Sequence, residues 1–268
     1  MHLIPQFGFG TWNHPEDETY RIVREALEIG YRHIDTAEMY GNESAVGRAI
    51  KDSGLKRDEI FITTKVAPEN FAPGHILPQA KASLEKLGIE MVNLYLLHWP
   101  SPQDRFDPND YVTQLGQVHD AGLAQQIGVS NFTKKYLDIA LLILGANRIA
   151  TNQVECHVLM QNRPIVDYTK SKGISITAYC PLARGHLSES AELVAMAQKH
   201  GATPEQIGLA FLMAESYVVI PSSSKRERIQ SNWDAQKVKL SAEDISTIRK
   251  LDANRRLVNG AWCPVWDT

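Results

Sequence analysis

Eight apolar, β-branched stretches recur along this chain at intervals of about 25–40 residues, each followed by a segment with helical spacing of apolar side chains. The stretches are 7–12, the start of 31–43, 60–64, 92–97, 126–131, 150–155, 174–179 and 217–221. A strand returned to the sheet by a helical crossover pairs in parallel with the strand before it. Eight such units predict a closed (β/α)8 TIM barrel, one domain over residues 1–268, with its active site at the C-terminal ends of the strands and short peripheral loops. A doubly wound sheet is the competing architecture, and it should carry a glycine-rich phosphate turn after its first strand. Gly8 and Gly10 lack the third glycine of that turn and lead into Trp12 and Asn13, so the barrel is favoured.

Composition narrows the partners. A formal net charge of -3 leaves no basic footprint for nucleic acid or an anionic membrane. The N-terminal residues Met1 to Pro5 show no basic segment followed by an apolar run, and no apolar stretch approaches the roughly 20 residues that span a bilayer. Cys156, Cys180 and Cys263 are odd in number and widely spaced, with no CxxC pattern. A disulfide framework or a zinc site is therefore not expected, and a reducing cytoplasm fits. Nothing marks an interface, so a monomer is expected.

The chemistry gathers at strand ends. Asp35 and Tyr40 follow the second strand, Lys65 the third and His98 the fourth, which places all four on the face of a barrel where active sites form. Taken singly, each has a plainer reading: an N-cap or surface acid, a rim aromatic, a surface lysine, a core histidine. Together they suit protonation of an oxygen on which negative charge develops. A free phenol has a pKa of about 10, too high for an efficient acid near neutrality. A neighbouring ammonium is expected to lower it, a carboxylate to hold that ammonium, and an imidazole to orient a carbonyl. No paired carboxylates, activated nucleophile or metal-ligand cluster is readable, so electrons must come from a cofactor. Ser130, Asn131, Gln153 and Tyr179 offer a hydroxyl, amides and an aromatic face for a flat carboxamide-bearing ring. The run Ser222-Ser223-Ser224-Lys225-Arg226-Glu227-Arg228 opens a helix with hydroxyls and cations, which suits phosphate.

Several of these runs form a known pattern. Asp35 to Glu43, Thr64-Lys65, Leu97-His98-Trp99-Pro100, Gly128 to Phe132, Asn152 to Glu155 and Val219 to Ser223 together resemble the aldo-keto reductases, in order and over nearly the whole chain. The resemblance implies NADPH as cofactor and reduction of aldehydes or ketones to alcohols. It implies that Tyr40 is the proton donor, Lys65 and Asp35 the pair that tunes it, and His98 the carbonyl-orienting group. It carries Ser130, Asn131 and Gln153 over as nicotinamide carboxamide contacts, Tyr179 as the stacking ring, and Leu182 to Gly185 as the loop over the pyrophosphate. Thr11, Ser222, Ser223, Lys225, Arg228 and Asn232 are implied to complete the cofactor site, with Lys225 and Arg228 at a 2′-phosphate. Trp12 and Trp99, with Tyr40 and His98, are implied to wall the substrate pocket.

Two departures stand out. Many members carry a lysine where Ser222 stands, and Lys225 is expected to take over its phosphate contact. The loop 101–109 and the tail from Asp252 are short, and an N-terminal hairpin plugging the barrel is nearly absent, so a more open pocket for small polar carbonyls such as 2,5-diketo-D-gluconate or methylglyoxal is expected. Two rivals stay open at this point: a non-catalytic nucleotide-binding member that keeps the barrel, and a barrel hydrolase or isomerase that works without nicotinamide.

Overall fold

The computed structural model describes residues 4–267; Met1 to Leu3 of the N-terminal stretch and Thr268 of the tail lie outside the described residues. The strands are β1 (Phe9–Gly10), β2 (His33–Asp35), β3 (Phe61–Val66), β4 (Val92–Leu97), β5 (Ala124–Ser130), β6 (Ile149–Glu155), β7 (Ser175–Tyr179) and β8 (Val218–Val219). They pair in parallel in chain order. A bridge between Phe7 and Val219 closes the sheet, with Gly8 N donating to Val219 O at 2.8 Å and Val219 N to Gln6 O at 2.9 Å. The seam needs small residues. A Cβ on Gly8 would lie 2.7 Å from the His33 ring, and one on Gly10 would lie 3.0 Å from the Ile220 carbonyl.

The helices are α1 (Glu16–Ile29), α2 (Glu43–Asp52), α3 (Ile76–Leu87), α4 (Pro108–Asp120), α5 (Lys134–Leu144), α6 (Arg163–Ser171), α7 (Ala191–His200), α8 (Pro204–Ala214), α9 (Arg226–Asp234) and α10 (Ala242–Arg249). Their starts follow local chemistry. Thr203 and Gln206 satisfy each other's backbone N–H groups in a capping box ahead of Pro204, and the Asp107 carboxylate accepts from Asn109 N ahead of Pro108. No helix among the described residues is long and apolar enough to cross a membrane.

Strands β3 and β6 are buried at every position, as parallel strands covered on both faces must be. The main core lies between sheet and helices, from Phe9 and Ile34 round to Val219 and Ile229. A second cluster of Phe61, Leu94, Leu96 and Ala150 has Ile4 packed against it.

Several boundaries differ from the sequence reading. β3 continues to Val66, so Lys65 lies inside the strand and pairs in register with Leu96. β8 is shorter than 217–221: Tyr217 N donates back to Leu212 O at 3.1 Å, and Pro221 has no N–H, its carbonyl accepting from Gly10 N at 3.0 Å. Before α7 runs a 3-10 segment, Ala183–Glu189, which gives way at Ser190, the N-cap of α7.

Candidate active site

Asp35 ends β2, and Lys65 reaches it from the neighbouring strand. Both are buried, at 2% and 0% exposure. The Lys65 ammonium donates to Asp35 Oδ1 and to Thr36 O, the latter at 2.8 Å, while Gln153 Nε2 donates to Asp35 Oδ2 at 2.8 Å. Each carboxylate oxygen therefore has a donor. Moving such ions out of water costs roughly several kcal/mol apiece, which only close pairing and full hydrogen bonding offset. Burial lowers the Lys65 pKa, opposed by Asp35 and then Glu43.

Tyr40 is delivered to the mouth by a 3-10 turn, Glu38–Tyr40, which Gly41 ends in the left-handed region at φ 67°. The turn is tied down through Glu38, which accepts from Ala67 N at 3.1 Å and Asn70 Nδ2 at 2.6 Å. The Tyr40 hydroxyl lies 3.4 Å from His98 Nε2, and Lys65 Nζ lies 5.1 Å from the centre of the Tyr40 ring. Asp35, Tyr40, Lys65 and His98 thus form one connected group at the C-terminal ends of β2, β3 and β4.

The electrostatics correct one expectation. The Tyr40 pKa is pushed well above the usual phenol value, by burial first and then by Asp35 and Cys180. Lys65 stands against the ring, and its hydrogen bonds go to Asp35 and Thr36. Tyr40 is consequently held as a neutral O–H donor rather than an acidified phenol. Burial, followed by Lys65, pushes the His98 pKa well below the usual imidazole value, so this ring is neutral as well. His98 Nδ1 is buried without a hydrogen-bond partner, while the His98 carbonyl accepts from Asn131 Nδ2 at 3.1 Å.

Beyond this group the ends of β5, β6 and β7 join in a single network. Ser130 Oγ donates to Gln153 O at 2.9 Å, Asn131 Nδ2 to Ser130 Oγ at 3.0 Å, and Tyr179 OH to Asn131 Oδ1 at 2.8 Å. Asn131 adopts φ 61°, which turns its amide across the mouth. Thr11 is buried, donating through N and Oγ1 to Asp35 O at 3.0 and 3.2 Å. Leu182 opens a turn in which Ala183, Arg184 and Gly185 all have positive φ, and Arg184 stacks on Trp12 at 5.4 Å. That contact carries the loop after β7 towards the loop after β1. Trp12 is half exposed; Trp99 is buried and meets Trp266 edge-on at 6.2 Å.

At the start of α9, Ser223 Oγ accepts from Lys225 N at 3.2 Å, Asn232 is buried, and Arg226 pairs with Glu28 at 2.9 Å. Lys225 and Arg228 are exposed, with no ion-pair partner among the described residues. Ser222 is engaged by His14, whose Nε2 lies 2.8 Å from its hydroxyl.

Sequence reasoning missed Glu155 and what it holds. Fully buried, Glu155 accepts from Leu257 N at 2.7 Å and Val258 N at 2.9 Å, and so pins the C-terminal tail. Further on, Arg256 lies over Trp266 at 3.8 Å, and Asp267 accepts from Lys134 N at 3.0 Å at the start of α5. The short tail is therefore tied back to the end of β6, to Trp99 after β4 and to the start of α5. A signal was available: Glu155 stands two residues after Gln153 on one strand, hence on the same face.

A parallel eight-stranded barrel with this polar group at its strand ends is the architecture of a carbonyl oxidoreductase, and the chain belongs to the aldo/keto reductase family, whose model matches residues 6–253. Within it, the short chain and the run Leu97 to Pro102 resemble the bacterial 2,5-diketo-D-gluconate reductases of the B type. Consistent with that, the chain is 45% identical to methylglyoxal reductase DkgB of Escherichia coli O157:H7 over 98% of its own length and 99% of that protein. It is 37% identical to an aldo-keto reductase of Mycolicibacterium smegmatis, covering 95% of this chain and 92% of that one. Among solved structures it superposes on aldose reductase from Schistosoma japonicum with TM-score 0.89 at 33% identity, covering 95% and 91% of the two chains. The aldo-keto reductase MGS-M4 from a Medee basin deep-sea metagenome gives 0.88 at 36% identity, covering 96% and 94%.

Proposed function

We propose that this oxidoreductase reduces small polar carbonyls, 2,5-diketo-D-gluconate and methylglyoxal among them, to alcohols with NADPH, in the cytoplasm. The observation that carries the reading is the neutral Tyr40 hydroxyl beside the His98 ring, with the buried Lys65–Asp35 pair behind it. A carbonyl oxygen between Tyr40 and His98 would receive two hydrogen bonds as negative charge grows on it. A phenol is intrinsically a stronger acid than an alcohol, and burial raises both, so a phenol of raised pKa keeps its proton against water and carboxylates but can give it to an alkoxide in the same site. Tyr40 therefore gives its proton only to a nascent alkoxide. The Lys65 ammonium then offsets the phenolate left behind, and Asp35 holds Lys65 in place for it.

NADPH, when bound, supplies the hydride. The donor set suits it: Gln153 Nε2 is given to Asp35, which leaves its oxygen for a carboxamide N–H, while Ser130 and Asn131 add polar groups and Tyr179 a ring face. Thr11, Leu182 and Gly185 would flank the cofactor towards its adenosine end, where Ser222, Ser223, Lys225, Arg228 and Asn232 would hold it. The exposed, unpaired Lys225 and Arg228 fit a 2′-phosphate. The relatives' printed activities, methylglyoxal reductase and aldose reductase, support small carbonyl substrates. In the test, Tyr40→Phe should lower turnover by roughly 10²–10⁴-fold while NADPH still binds in a fluorescence titration. Turnover within a few-fold of the parent would remove Tyr40 as the acid.

A further inference from the structure

His14 sits in the loop between β1 and α1, and its ring joins that loop to the segment after β8. Its Nε2 lies 2.8 Å from Ser222 Oγ, and its Nδ1 lies 2.9 Å from Glu18 Oε2 on the first turn of α1. The backbone is held too, since the His14 carbonyl accepts from Thr19 Oγ1 at 3.1 Å and from Asn42 Nδ2 at 3.3 Å. The ring is only 13% exposed. Facing it are Glu18 from α1, with Arg21 Nη2 3.5 Å from the same carboxylate, and Ser222, while Asn42 from the start of α2 holds the His14 carbonyl. The result is a hydrogen-bonded relay, Glu18–His14–Ser222, ending on a hydroxyl three residues before the unpaired Lys225.

We propose that His14 is a positioning residue for the 2′-phosphate of the cofactor, acting through Ser222. The inference rests on the NADPH reading above. A carboxylate only accepts, so His14 Nδ1 carries a hydrogen towards Glu18. In the neutral ring Nε2 must then accept, and the Ser222 hydrogen is drawn inward to it. Ser222 turns only lone pairs outward, which repel phosphate oxygens. Once His14 is protonated, Nε2–H donates to Ser222 Oγ, the Ser222 hydrogen is freed to point outward, and a positive charge stands behind it. One proton reverses the direction of the relay. The grip on the phosphate is therefore present while both ring nitrogens of His14 carry a proton and is lost when the second proton leaves. By reciprocity, a bound phosphate raises the affinity of His14 for its proton.

The test measures dissociation constants of NADPH and NADH for the full chain by tryptophan fluorescence without substrate, from about pH 5.5 to 8.5, the span over which imidazole titrates. The parent, His14→Gln and Ser222→Ala are compared, each first checked for parental circular dichroism. The 2′-phosphate of the free cofactor titrates near neutrality itself, and that part of the pH dependence is common to all three. Relative to His14→Gln, the parent should gain about five- to tenfold in NADPH affinity on going to the acid end, the margin of a charge-assisted over a neutral hydrogen bond. NADH should show no such gain. By NMR, the His14 titration midpoint should rise on adding NADP+ but not NAD+, and the rise should shrink in Ser222→Ala. This NMR arm uses folded Ser222→Ala and the parent, so it holds even where His14→Gln fails to fold. Superimposable pH profiles in parent and His14→Gln, or an equal gain with NADH, overturn the role of His14 while leaving the cofactor reading intact. If neither cofactor binds the parent at any pH, both fall together.

Discussion

Replacing Lys65 by Met removes the ammonium while keeping most of the side chain's volume, so the change isolates a charge. The pair it breaks is almost without solvent, Lys65 at 0% and Asp35 at 2% exposure, and needs no discount for screening by water. Removing one partner of a buried pair costs about 3–5 kcal/mol, because the other charge is left unmatched. Asp35 keeps one donor, Gln153 Nε2 at 2.8 Å, which places the loss towards the lower end of that range. For a chain of 268 residues about 1 kcal/mol corresponds to roughly 2 °C, so a fall of about 6 °C in Tm is expected. The decisive comparison adds Asp35→Asn, which removes the orphaned charge yet keeps an oxygen for Gln153. The double variant should be more stable than the sum of the single losses implies, by about 2 kcal/mol or more, in urea and thermal unfolding followed by circular dichroism. Losses that add to within about 0.5 kcal/mol would refute the picture of two mutually dependent buried charges. Turnover should be lost in all three variants, so stability rather than activity carries this test.

Further expectations concern pH, the tail and one helix contact. Because burial lowers the Lys65 pKa from its usual 10.5 and raises that of Tyr40, kcat should fall with rising pH through an apparent pKa below 10.5, as Lys65 loses the charge that offsets the phenolate. A limb at or above 10.5 in the kcat profile would contradict that order. With the His98 pKa well below 6.5, no acid limb from imidazole protonation should appear near 6.5 in the same profile. Glu155→Gln leaves one tail amide facing an NH2 group, a loss of about 1–3 kcal/mol. Limited proteolysis should then cut beyond Leu257 sooner than in the parent, with KM affected more than kcat; an unchanged cleavage rate would deny Glu155 its hold on the tail. Gly47→Ala would place a Cβ 2.4 Å from the Leu87 carbonyl, where α2 crosses the end of α3. Overpacking against backbone should cost about 1–3 kcal/mol in urea unfolding, and a neutral outcome would show that the two helices can part.

The barrel was legible because its cause is periodic: each unit repeats an apolar strand, a helical face and a stop, and Thr203-Pro204 or Gly88 speaks for itself locally. The positions of Asp35, Tyr40, Lys65 and His98 near strand ends were legible for the same reason, since parallel closure carries every C-terminal end to one face. Contacts between segments far apart in sequence were not. Nothing near His14 announces Ser222, which lies 208 residues away, and nothing in the tail announces that both oxygens of Glu155 hold it. The sign of the Tyr40 shift was misread for a related reason. A lysine in the sequence suggests an ammonium free to favour a phenolate, but whether it does so depends on where its hydrogen bonds go and on how dry the phenol is. Here they go to Asp35 and Thr36, and burial prevails at Tyr40. That outcome suits proton donation better than the sequence expectation did. A strongly acidified phenol would be partly ionised before substrate arrives, and that fraction would have no proton to give. In the proposed role a neutral one would keep its proton until an alkoxide forms beside it, and the Lys65 ammonium already against its ring would then offset the charge left behind.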